Sequence, residues 1–153
     1  MPMKKFRYNL ESVLEYEQRI LDDLKEQYAV RERAVTEKQE QIRSLQAKRD
    51  ALQDEFQHVK EQGAQIEKFL LYSNLIDRED KQIQLEKKRL VELEKKAEEK
   101  KQEVIAQNID VNKFEKLKEK KKAEDHVLEQ KDQESYIEEF VSHQAQAKGR
   151  TTA

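Results

Sequence analysis

Between Pro2 and Gly149 the chain holds one glycine, Gly63, and no second proline. A stretch so poor in helix breakers can stay helical on both sides of a single interruption. Apolar residues also recur at seven-residue intervals on each side of Gly63. That spacing keeps one stripe of a helix facing a partner as the two supercoil. With Leu14 as position a, the first series is Leu14, Leu21, Tyr28, Val35, Ile42, Arg49 and Phe56. Its d companion is Leu10, Glu17, Leu24, Arg31, Lys38, Leu45, Leu52, Val59 and Ile66. Beyond Gly63 the pattern resumes with Phe69, Ile76, Ile83, Leu90, Ala97, Val104 and Val111. A weaker companion series there is Tyr72, Glu79, Glu86, Leu93, Lys100, Gln107 and Phe114.

Two seams of equal period joined at one breaker predict an all-α fold, an antiparallel coiled-coil hairpin within one chain. Helix one is expected over about 6–61, the turn near 62–66 around Gly63, and helix two over about 67–143. Residues 1–143 then form a single hairpin, and the small, polar residues 144–153 a disordered tail. Symmetry about Gly63 sets Leu14 opposite Val111, Leu21 opposite Val104, Tyr28 opposite Ala97, Val35 opposite Leu90 and Ile42 opposite Ile83. These ten residues are the expected core. Lys38 comes near Glu86 in the same register, and a shift by one heptad stays open. At about 1.5 Å per residue the first helix spans about 80 Å and the second at least 110 Å, so the longer helix projects.

Composition narrows the functions available to such a chain. Charged residues make up 42% and apolar ones 35%, too few to fill a thick core. The 31 basic residues nearly cancel 33 acidic ones, which with the regular apolar spacing favours a coiled coil over disorder. Near-neutrality removes the general electrostatic basis for nucleic-acid binding. Residues 113–122 carry six lysines against Glu115 and Glu119, and 124–139 carry seven acids against Lys131. Adjoining blocks of opposite sign suit partner or self-pairing better than a nucleic-acid tract. The chain has no cysteine, hence no thiolate chemistry. Residues 1–7 show no apolar run like a signal peptide, and no stretch is apolar enough to span a bilayer.

Chemistry-bearing constellations are sparse. Phosphate-binding loops need clustered glycines that are absent here. His58, His126 and His143 are scattered, and the Glu55-x-x-His58 spacing needs a second such motif and further carboxylates to hold a di-metal centre. No catalytic residue, metal ligand or cofactor site is expected, and the chain reads as a non-enzyme without a small-molecule substrate. Two apolar groups exceed what a two-helix seam can cover. Phe69, Leu70, Leu71, Tyr72, Leu75 and Ile76 wrap more than one helix face, fitting a local core at the tip, an exposed patch, or both. Val127, Leu128, Tyr136, Ile137, Phe140 and Val141 fall where helix one is already exhausted, after the nearly apolar-free stretch 116–126.

The opening Lys5-Phe6-Arg7-Tyr8-Asn9-Leu10-Glu11-Ser12-Val13-Leu14 resembles the start of the flagellar type III export protein FliJ family, with its F-x-x-x-L-x-x-V-L entry into the first helix. The resemblance continues through the charged arms, the break at Gly63 and the stretch from Phe69 to Ile76. It extends to Lys131-Asp132-Gln133-Glu134-Ser135-Tyr136-Ile137-Glu138-Glu139-Phe140, an approximate form of the family's closing Lys/Glu-rich segment. It implies a cytoplasmic export component, peripheral at the inner face of the membrane through its partners. Members are similar in shape to the antiparallel coiled coil of the ATP synthase γ subunit. The implied partners are the centre of a hexameric export ATPase, the export-gate membrane protein and export chaperones. On this chain the ATPase contact is expected at the open end, through Phe6, Leu10, Leu14, Val127, Leu128, Tyr136, Ile137 and Phe140. The gate contact is expected near the tip, at Tyr72, Leu75, Ile76 and Glu79, although Glu79 and Asp80 stand where an apolar residue is more usual. A monomer is expected. Two other classes stay in view: a coiled-coil scaffold or stalk of another secretion system, and a nucleic-acid or membrane-surface module using residues 113–122.

Overall fold

The structure, a computed structural model, describes residues 10–151, with side chains through residue 146. Two α-helices account for nearly all of them: α1 over Glu11–Gln62 and α2 over Ile66–Thr151. The Leu10 carbonyl accepts the first bond of α1 from the Leu14 N–H at 2.9 Å. Glu11 in the first turn and Lys60 in the last suit the helix dipole. Gly63 breaks the chain at φ +78°, a left-handed conformation that an L side chain resists. Residues 63–65 complete the turn, and Lys68 N–H donates to the Gln65 carbonyl at 3.0 Å as α2 begins.

The contacts divide the chain into two units, and both helices contribute to each. The first is the Leu21–Ala106 hairpin, in which the two helices pack antiparallel. Leu21, Val35, Ile42, Ile76, Ile83 and Ala97 are buried there. Tyr28, Leu90 and Val104, expected in the core, are half-buried. A lone partner helix shields only one side of its neighbour, so larger side chains keep an exposed flank, while small Ala97 is covered almost completely. Polar contacts between the helices fix their alignment. Lys38 Nζ meets Glu86 Oε2 at 2.6 Å, Lys48 Nζ meets Glu79 Oε1 at 3.0 Å, and Arg49 Nε meets Asp80 Oδ1 at 2.9 Å. At the tip Phe56 packs edge-on against Phe69, with centroids 6.2 Å apart, and tilts over Tyr72 at 5.7 Å. The Lys60 ammonium sits 4.0 Å above the Phe56 ring.

The second unit joins the start of α1, through Ile20, to α2 from Gln107 onward. Leu14 and Val111 are buried in it. The Gln107 amide donates to the Glu17 carbonyl oxygen at 3.0 Å and also to the Glu17 carboxylate. Lys118 Nζ reaches Glu11 Oε2 at 2.8 Å. Past Glu129 every described side chain is exposed. The helix nevertheless continues to Thr151, eight residues beyond the expected end at 143. Gln144, Ala145, Gln146, Ala147 and Lys148 are strong helix formers, so the polar composition that suggested disorder also supports helix. The start expected at residue 6 lies outside the described residues.

Candidate interaction surfaces

Heptad positions carry charges at Glu17, Lys38, Arg49, Glu79 and Glu86, and a two-helix seam must satisfy each of them. Glu86 is the extreme case, a carboxylate only 1% exposed. Besides Lys38, its Oε1 accepts from Arg89 Nη1 at 2.7 Å and from Gln82 Nε2 at 3.1 Å. The Lys38 hydrogen bond, followed by the charge of Arg89, holds the Glu86 carboxyl below its ordinary value, against the upward push of burial. Lys38 also donates to Gln41 Oε1 at 2.8 Å, leaving the ammonium well satisfied.

A shallow, open groove lined by Arg31, Lys96, Glu99, Lys100, Gln102 and Glu103 is the kind of concavity present. Among the described residues no three His, Asp or Glu side chains converge as metal ligands, and His58 is exposed. Among the described residues no helix is long and apolar enough to cross a membrane. In the 113–122 segment Lys118 is tied to Glu11, and Lys113 reaches Asp110 at 4.0 Å.

Of the residues expected at the open end, Phe6 lies outside the described residues. Leu14 is buried in the seam and Leu10 is partly exposed. Val127, Leu128, Tyr136, Ile137 and Phe140 stand between 47% and 72% exposed. They do not form one patch with Leu10 and Leu14, because Glu11 already meets Lys118, roughly 13 Å of helix before Val127. Tyr136 and Phe140 continue the three-, four- and seven-residue spacing of Val111, Lys118, Asp125 and Glu129, the side of α2 that faces α1. That line of the helix runs on with apolar residues after α1 has ended.

The tip residues lie lower than a docking surface would suggest. Ile76 is buried, whereas Tyr72, Leu75 and Glu79 are half-buried. Tyr72 leans on Phe56, and Glu79 is held by Lys48. The outward apolar residues are Ile66, Leu70 and Leu71, each more than half exposed. Leu70 and Leu71 fall outside the a and d positions, and that is the signal that identifies them: two leucines beside an already filled seam have nowhere inside to go.

These features define an all-α helical hairpin. The profile described as "Flagellar FliJ protein" matches residues 6–150. The chain belongs to the flagellar FliJ family, and its role is flagellar export-related. No curated protein and no solved structure matches it.

Proposed function

We propose that this chain is a non-catalytic, cytoplasmic component of the flagellar export apparatus that binds the centre of the hexameric export ATPase. The observation carrying this reading is the apolar continuation of the α1-facing line of α2. Tyr136 and Phe140 occupy it, with α1 no longer beside them. Val127, Leu128 and Ile137 widen the contact, and Leu10 and Leu14 stand at the neighbouring start of α1; Phe6, which lies outside the described residues, is proposed as a further contact. A ring of subunits around the extension replaces the missing partner helix. Exposed lysines and carboxylates add many weak, reversible contacts.

The tip serves the export-gate protein, with Leu70 and Leu71 outermost and Tyr72, Leu75, Ile76 and Glu79 supporting them. Export chaperones are further partners, and the chain sits at the inner face of the membrane through these contacts. Co-sedimentation with the export ATPase, read together with its ATP turnover, tests the reading. Wild type is expected to bind and stimulate turnover. Phe140→Ala, or truncation after Glu124, is expected to lose most of the stimulation while remaining helical. Folded wild-type protein that neither binds nor stimulates would overturn the proposal. Tyr72→Ala should weaken gate binding and leave stimulation intact; equal loss of both would remove the division between tip and end.

A further inference from the structure

The face of α2 turned away from α1 carries an ordered charge pattern, of which the ATPase reading uses only the central Val127. Val127 stands at its centre, exposed. Seven and eleven residues before it are Lys120 and Lys116; seven and eleven residues after it are Glu134 and Glu138. Steps of seven and eleven return to nearly the same side of an α-helix, within about 20°. All five residues therefore share one stripe, opposite the side that holds Val111 and Lys118 in the seam. The four charged side chains are exposed, and none has an ion-pair partner among the described residues. Leu117 and Ile137, ten residues either side of Val127, flank the stripe and are also exposed.

We infer that this face pairs with the same face of a second copy, antiparallel, about a two-fold axis through Val127. The stripe is its own complement under that operation, as an isologous interface demands. With Val127 against Val127, Lys120 of each copy meets Glu134 of the other, and Lys116 meets Glu138. Every ion pair is formed twice, and a parallel pairing would instead set lysine on lysine and glutamate on glutamate. Ala123 falls opposite Lys131, whose aliphatic stem can lie across the small residue.

About 33 Å of paired helix with a sparse apolar stripe gives an interface near the lower end of specific contacts. The dilute chain stays monomeric, and association sets in at micromolar concentration. This pairing goes beyond the export reading and does not depend on it: the two share Val127, but Tyr136 and Phe140, which carry that reading, lie on the other side of α2.

Sedimentation equilibrium of the full chain at low salt, from about 1 to 100 µM, tests the inference. Wild type is expected to show a monomer–dimer equilibrium that weakens at high salt. The double variant Lys116→Glu/Lys120→Glu should raise the dissociation constant at least about tenfold. Glu134→Lys/Glu138→Lys should do the same. An equimolar mixture of the two variants should recover dimers, since each all-acidic stripe then faces an all-basic one. Circular dichroism confirms that both variants remain helical. Phe140→Ala should dimerise as wild type does even where it loses ATPase stimulation, which separates this interface from the ring contact. A wild type that stays monomeric throughout, reversals without effect, or a mixture that stays monomeric would each overturn the inference.

Discussion

A carboxylate covered by two helices keeps its place only while its charge is matched, which makes Glu86 the most condition-sensitive residue of the Leu21–Ala106 unit. Its pKa is lowered in the folded chain. The unfolded chain therefore binds the proton more readily, and the contribution of Glu86 to stability is complete above its ordinary value of 4.5. That contribution disappears as pH falls through the lowered folded value. Glu86→Gln should reduce the urea midpoint by a constant amount above about pH 5, and the gap to wild type should narrow on further acidification. A gap independent of pH would remove the ionised Lys38 bridge as its cause. Lys38 could be placed near Glu86 from heptad arithmetic. The full burial of Glu86 could not, because it depends on Arg89 and Gln82 closing over the carboxylate from the same helix. Leu21, 2% exposed, tests the apolar part of the seam. Leu21→Ala should cost about 2–3 kcal/mol by chemical denaturation, the lower part of the usual range, because a seam one side chain deep can partly close.

At the level of elements, the break between α1 and α2 depends on the backbone alone. A Cβ at Gly63 meets nothing within 4 Å, so space is not what excludes other residues. The obstacle is the positive φ, and Gly63→Ala should cost about 1 kcal/mol with no change in helix content. A loss several times larger would point to a packing role at the turn. Gly63 was legible as a break because nothing else in the interior interrupts two regular repeats. The far end of α2 was less legible. Composition separates folded from disordered chains by their capacity to bury apolar area, and residues 144–146 are exposed while the helix they belong to continues. Tip orientation was also hidden in part. The heptad pattern points Phe69, Tyr72 and Ile76 toward the seam but does not show that the Tyr72 ring leans on Phe56, a residue from the opposite arm.

For the whole molecule, stability and the proposed contacts occupy different parts of the chain. No described side chain past Glu129 is even half-buried, so those residues add helix without adding core. Truncation after Glu124 should lower total helicity while leaving the unfolding midpoint of the remainder within about 0.5 kcal/mol of wild type. Hydrogen exchange should likewise be fastest across residues 130–151 and slowest around Leu21, Ile42, Ile83 and Ala97. Strong protection at Phe140 in the isolated monomer would contradict this. The cross-helix charges described above also have a mechanical consequence. Were α2 drawn lengthwise past α1 by one heptad, Glu86 would leave Lys38, Arg49 would leave Asp80 and Lys48 would leave Glu79, all in the same stroke. A smooth apolar seam would tolerate that creep; this one meets a stop, so tension applied to one strand of the hairpin is carried by the other instead of being lost as slippage.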